Sequence, residues 1–469
     1  MLELTFDPQL SAQLHNKILH HAWVGAGRDP ALMPSTTWWE ESSPVPFDIA
    51  SRLNPNLICF LRLAKMTTPD PKISLFCFLK SLQVSHQLHS LLPGTPRADR
   101  FIYLYRATGA YDEEDVGIVS VLVLSLSQYD AFTDSDARFD QKTELAAYVA
   151  HQYDIYHMFN QPWAWKPLQD ILQAYLEMIE EEKVQASTDE ADEEDITPRF
   201  FPWRYHQYTH RDVIKATQAL TRLLDAIEQR LAQPRATEYL ASTRALDIQL
   251  PYSHAILDEA TIPASTFIRI FLSEIPPRTL RFRYIAPGIK LQSSAEFITQ
   301  PWKQPPGHGY GHSVPCLLFR GDQSISLSYK PVYYPDPEDS LQGVPIGLYI
   351  SPTGVGSPTT FGNSCRLLLP FNIGARHYAR YSNGEQLHED NPWDKTPKDT
   401  AHELYQPGSH SGFLERHEVQ LHKVLLNWAE RVEAGDWEVN ADGVAGGIDK
   451  FEEADTLESW RKYQIPLAW

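Results

Sequence analysis

Apolar residues recur along this chain with two different periods, and the switch between them organises it. Helical spacing covers residues 9–23 and ends at Gly25-Ala-Gly27. It returns between Ile73 and Leu92, where Pro93-Gly94 stops it. The pattern predicts two further helices over 141–159 and 166–183, split by Gln161-Pro-Trp163. In the second, Leu168, Ile171, Leu172, Tyr175, Leu176 and Ile179 fall on one continuous face. A helix from about Arg211 to Ala232 carries the stripe Val213, Leu220, Leu223, Leu224, Ile227 and Leu231. Another, Glu415 to Val432, places Leu421, Val424, Leu425, Trp428 and Val432 on one side.

Between Thr266 and Arg380 strand-like runs follow one another: Thr266–Leu272, Leu280–Ile285, Pro315–Phe319, Ile325–Tyr329, Ile346–Ile350 and Cys365–Phe371. Phe101–Tyr105 and Val116–Leu126 also read as buried strands, with a helix as the rival for the second. The class predicted is α+β, a central mostly β region flanked by helical segments from both ends. The expected divisions are a mainly helical region 1–186, an acidic and aromatic surface loop 187–205, and a β-rich core region with C-terminal helices, 206–469. One integrated domain joining the first and last of these is the alternative at 469 residues. The loop contains Ser187–Asp195, with six acids in nine residues and no large apolar side chain, so it cannot bury enough surface to order itself. Residues 28–56, rich in Pro and Trp, read as an irregular wrap, and 383–412 as polar and irregular.

Charge narrows the function. A net charge of -19 opposes general binding to nucleic acid or anionic lipid, while local basic patches remain compatible with RNA. The four Cys (Cys59, Cys77, Cys316, Cys365) form no C-x-x-C pair and read as reduced thiols. No signal peptide is expected at Met1–Asp7, and the longest apolar run, Val116–Leu126, is short of the roughly 20 residues that span a bilayer. A cytoplasmic protein with no membrane contact is the expectation.

The chain has no phosphate-binding G-x-x-x-x-G-K-[ST] loop, no strand-led G-x-G-x-x-G, no G-x-S-x-G, no H-E-x-x-H and no Cys/His zinc spacing. Chemistry without a cofactor is therefore expected. Two strings stand out. Gly307-His-Gly-Tyr-Gly-His312 couples a backbone free to approach a ligand with two imidazoles, His308 and His312. Arg376-His-Tyr-Ala-Arg-Tyr381 offers Arg376 and Arg380 to clamp a carboxylate or phosphate and His377 as acid or base, with Tyr378 or Glu385 as partner. The expected site thus takes His377, Tyr378 and Glu385 for proton transfer, and Arg376, Arg380, His308 and His312 for holding substrate, around one shared cavity.

Metal chemistry has weaker candidates. An iron site wants an H-x-[DE] pair, for which His210-Arg-Asp212 and His388-Glu-Asp390 are the candidates. Asp130, Asp134 and Asp136 follow an apolar run as the acids of terpene cyclases do, without the D-D-x-x-D spacing. No metal is expected.

Four strings belong together: Leu280–Ile289, Leu368–Arg376, Leu404–Gly408 with Glu415–Glu418, and Asp442–Asp449 with Glu453–Asp455. Over roughly the C-terminal 40% of the chain they resemble the fungal arginine-containing cyclodipeptide synthases. That resemblance implies an intracellular biosynthetic enzyme of fungal specialised metabolism, joining aminoacyl groups taken from charged tRNA into a cyclic dipeptide. Its partners would be a small-molecule substrate and charged tRNA. The rival readings are a non-catalytic ligand- or partner-binding protein and a metal-dependent oxygenase or terpene cyclase.

Overall fold

The computed structural model describes residues 5–45, 50–51, 53–66, 72–77, 79–83, 101–107, 136–140, 145–149, 166–188, 201–231, 248–264, 266–302, 315–326, 342–350, 362–382, 384–387, 403–406 and 419–465. These fall into two compact units that meet between His206 and Gln207 in the sequence. The fold is α+β.

In the first unit, helices α1 (Pro8–Gly25), α2 (Trp38–Glu41), α3 (Pro55–Leu63) and α4 (Leu168–Glu180) accompany strands β1 (Leu79–Leu82), β2 (Phe101–Ala107), β3 (Asp136–Asp140) and β4 (Leu145–Val149). The four strands form one antiparallel sheet in sequence order. A second ribbon pairs β5 (Val184–Ala186) with β6 (Trp203–Tyr205). Helix α1 starts where the Asp7 carboxylate accepts from the N–H groups of Gln9 and Leu10, with Pro8 at the first helical position. The predicted face of α4 is buried through Leu168, Ile171, Leu172, Tyr175 and Leu176.

Within the stretches 73–92 and 141–159, where spacing predicts helices, residues 79–82 and 145–149 are strands instead, and 141–144 and 150–159 lie outside the described residues. Residues 79–82 pair with β2, behind a turn in which Phe76 N–H reaches Leu79 O at 2.8 Å. Residues 145–149 pair antiparallel with β3, the strand next to them in sequence, and this sheet pairing overrides local helix preference. The rest of 84–100, including 84–92, and Val116–Leu126 lie outside the described residues.

The second unit is built on an eight-stranded mixed sheet. Its helices are α5 (His210–Arg230), α6 (His254–Glu259), α7 (Phe267–Glu274), α8 (Ser294–Phe297), α9 (Leu421–Ala434) and α10 (Trp460–Tyr463). A two-stranded ribbon joins β7 (Gln249–Leu250) to β8 (Arg278–Thr279). The large sheet uses β9 (Tyr284–Ala286), β10 (Ile289–Lys290), β11 (Cys316–Ile325), β12 (Val344–Ile350), β13 (Cys365–Leu368), β14 (Glu403–Leu404), β15 (Val439–Asn440) and β16 (Gly443–Val444). Their order is β14-β13-β12-β11-β10-β9-β16-β15, and only the β16–β9 pair is parallel. In β12, Gly347 has φ +147° and an added Cβ would lie 2.1 Å from Phe319 O, so the bulged β11–β12 pairing requires glycine there.

Thr266–Leu272 reads as strand by composition but forms α7. Its buried residues Phe267, Ile268, Phe271 and Leu272 recur at helical spacing, and Ser273 Oγ donates back to Arg269 O at 2.8 Å. Strand structure in Leu280–Ile285 is confined to its end, β9. Helix α5 begins in a reciprocal cap between Thr209 and Asp212 and buries the predicted stripe from Val213 to Ile227. It packs with α9, whose C-terminal Gly435 takes φ +80°. One face of the sheet joins these helices in the main core, through Leu318, Leu348, Cys365 and Leu367. The other face is also buried, around Trp302, Leu317, Val344, Tyr349 and Leu368.

Candidate functional site

The segment expected to clamp substrate is folded around a carboxylate of the chain itself. Asp455, ending a 3-10 helix at Ile448–Asp455, is buried. Its Oδ2 accepts from Gly374 N–H at 3.0 Å and Arg376 N–H at 2.7 Å. Its Oδ1 accepts from Tyr378 N–H and Ala379 N–H, both at 2.9 Å. A backbone concavity of this kind suits an anion, and Asp455 fills it. Gly374 enters it at φ +101° and His377 leaves at φ +65°, a left-handed backbone that a side chain rarely adopts.

The side chains then point to different surroundings. Arg376 is exposed and lies 3.4 Å from Glu452. His377 is exposed. The Arg380 guanidinium sits 5.3 Å over the ring of Trp460, which Arg461 approaches at 4.7 Å. Residues 379–387 turn back on themselves, with Tyr381 N–H to Glu385 O at 2.9 Å and Leu387 N–H to Ala379 O at 3.0 Å. That turn buries Glu385, so Glu385 and His377 sit in unlike environments. His308 and His312 lie outside the described residues, as do Asp130, Asp134 and the His388–Asp390 string. Asp212 uses its Oδ2 in the cap of α5, accepting from the N–H and hydroxyl of Thr209. Among the described residues no group of three or more His, Cys, Asp or Glu is placed to hold a metal ion.

A different set of polar groups lies buried on the second face of the sheet, around β13. Ser364 and Gln420 form a bridge, flanked by Cys365 N–H to Val419 O and Leu421 N–H to Asn363 O, both 2.8 Å. In this arrangement the two side chains emerge on the same side, about 4.5–5.5 Å apart at Cβ. Two residues on, about 7 Å along the strand, Arg366 projects from the same face and donates from Nη1 to Glu403 Oε2 at 2.8 Å. Glu403 is the register partner of Leu368, and Tyr349 that of Arg366. Tyr349 gives its hydroxyl to Pro345 O at 2.6 Å, and burial raises its pKa, keeping it protonated. Trp302 stands 5.7 Å from its ring.

Within this row several atoms are buried with no hydrogen-bonding partner: Ser364 Oγ, Oε1 and Nε2 of Gln420, and Oε1 of Glu403. Each such group costs about 1–3 kcal/mol, so a cluster of them marks a place where polar capacity is held in reserve. Period-2 alternation in Ser364-Cys-Arg-Leu-Leu368 was the available sequence signal. Alternation alone reads as a solvated face, and only packing reveals a second buried one.

A groove of 530 Å³ also runs along α5, between Thr217, Thr221, Pro276 and Glu433. Its charges are consumed in pairs, Arg222 with Glu433 at 2.6 and 2.8 Å and Asp225 with Arg278 at 2.6 Å. The row around β13 is therefore the candidate site. No family model, curated protein or solved structure matches this chain. Among the described residues no helix is long and apolar enough to cross a membrane.

Proposed function

We propose that this chain is a cytoplasmic biosynthetic enzyme that joins aminoacyl groups from charged tRNA into a cyclic dipeptide, with its chemistry at the buried polar row of β13. The resemblance of the C-terminal strings supplies the reaction class. The observation that carries the placement is Glu403, one carboxylate oxygen held by Arg366 and the other buried without a partner.

In aminoacyl transfer an amine attacks an ester carbonyl. A C–N bond forms, the C–O bond to the ribose breaks, the amine loses a proton and the leaving oxygen gains one. The free oxygen of Glu403 takes the proton and returns it to the leaving oxygen, while Arg366 holds the other oxygen in place. Neither step draws on a nucleotide, redox cofactor or metal. Arg376 and Arg380 keep the part expected of them, meeting the phosphate-bearing portion of the substrate. His377, exposed and committed to a strained turn, is not assigned proton transfer here.

Expression in a bacterial host, with mass spectrometry of the extracts, tests this reading. New arginine-containing cyclic dipeptides are expected from the wild type and from His377→Ala, and none from Glu403→Gln. Extracts without them, together with a small molecule retained on the purified protein, would favour the binding-protein reading instead.

A further inference from the structure

Gln420 is 1% exposed, and neither the oxygen nor the nitrogen of its side-chain carboxamide has a hydrogen-bonding partner. Its residue begins α9 without capping the helix, so the amide is not engaged in holding that terminus. Beside it, on the same face of the bridge, the Ser364 hydroxyl is fully buried and also unpartnered. A carboxamide presents an acceptor and a donor on one planar edge. The group that satisfies both atoms at once carries the complementary edge, a C=O next to an N–H on the same side. An amide in the cis arrangement, as in a lactam ring, has this edge, and an ordinary trans peptide does not.

We infer that Gln420 and Ser364 form a subsite for a ligand bearing a lactam-type cis-amide: Gln420 Nε2 donates to its carbonyl, Gln420 Oε1 accepts its N–H, and Ser364 Oγ gives the carbonyl a second donor. This rests on reading the β13 face as the substrate site. None of these atoms touches solvent, so the ligand reaches them only by replacing protein atoms around the carboxamide. A buried amide built to pair in this way discriminates strongly against a ligand lacking the N–H, because its own oxygen is then left unpaired.

Thermal melting of the full chain with 2-piperidone, N-methyl-2-piperidone or neither reads this subsite without requiring turnover. The expected result is a saturable rise in melting temperature with 2-piperidone, little or none with the N-methyl compound, and loss of the rise in Gln420→Leu. The Gln420→Leu protein alone should melt above the wild type, because an unpartnered buried amide has been replaced by an apolar side chain of similar size. Equal rises with both lactams, no rise with either, or a Gln420→Leu protein that melts lower and still responds to 2-piperidone would overturn the assignment. Lactam binding by a protein that makes no cyclic dipeptide would retain the subsite and remove the proposed reaction.

Discussion

Asp455 grips the main chain of Arg376, accepting its N–H at 2.7 Å, while the guanidinium of the same residue turns outward to Glu452 at 3.4 Å. The backbone of this basic segment is thus architecture, while the side chains of Arg376 and His377 are exposed. Both parts can be separated by mutation.

Asp455→Ala leaves four N–H groups without their acceptor, those of Gly374 and Ala379 in buried positions. Hydrogen bonds to a charged group contribute about 1.5–3 kcal/mol each and are not additive, so a loss of roughly 3–5 kcal/mol is expected in urea unfolding. Asp455→Asn, with one acceptor oxygen, should fall between this variant and the wild type. A loss below about 1 kcal/mol for Asp455→Ala would refute the structural role.

His377→Gly should stabilise the protein by about 0.5–1 kcal/mol. The left-handed backbone at φ +65° disfavours a residue with a Cβ by roughly 1–2 kcal/mol, and the extra freedom of glycine in the unfolded chain offsets part of this gain. Stabilisation with unchanged product would place this residue in the turn alone. Lost product in a protein of normal stability would return it to the chemistry.

Acid should weaken the first unit through His15. Its ring is buried, with Nε2 2.8 Å from Lys65 O and Nδ1 3.0 Å from the Tyr105 hydroxyl, and burial pushes its pKa down to about 4. The folded pKa lies below the ordinary 6.5, so the unfolded chain binds the proton first. The stability held by neutral His15 is therefore complete above about pH 6.5 and falls as pH drops towards 4. At about 1.36 kcal/mol per pKa unit the total is on the order of 3 kcal/mol. Chemical unfolding followed between pH 7 and pH 4 should show this slope, and His15→Gln should flatten it. An identical slope in the variant would assign the effect to other groups.

Arg366 and Glu403 should behave as an interdependent pair, the carboxylate buried and the guanidinium partly so. Removing either partner leaves the other charge uncompensated, so Arg366→Ala or Glu403→Ala should cost about 3–5 kcal/mol. Replacing both together, Arg366→Met with Glu403→Leu, should recover most of that loss in equilibrium unfolding while abolishing product. Additive losses in the double variant would mean that the 2.8 Å contact contributes little.

Much of the helical framework was legible from spacing, because the faces of α1, α4, α5 and α9 are set by side chains three and four residues apart. Short segments were less legible. Thr266–Leu272 has strand composition and helical spacing, and packing against the core selected the helix. Leu79–Leu82 became a strand by pairing with Phe101–Ala107, a partner no local pattern contains, whereas Leu145–Val149 pairs with Asp136–Asp140, its neighbour in sequence. The basic string at 376–381 was conspicuous, yet nothing local announced that Asp455 would occupy its backbone.

The chain alone determined an α+β class, the places of its long helices and the charge that opposes a general nucleic-acid binder. Tertiary structure decided which polar residues are hidden. Ser364, Arg366, Glu403 and Gln420 come from three separate stretches, and each looks unexceptional in its own. Only the pairing of β13 with β14 and with the start of α9 gathers them on one face. Hydrogen-bond capacity is a property of each residue, whereas being left unpartnered depends on everything that surrounds it.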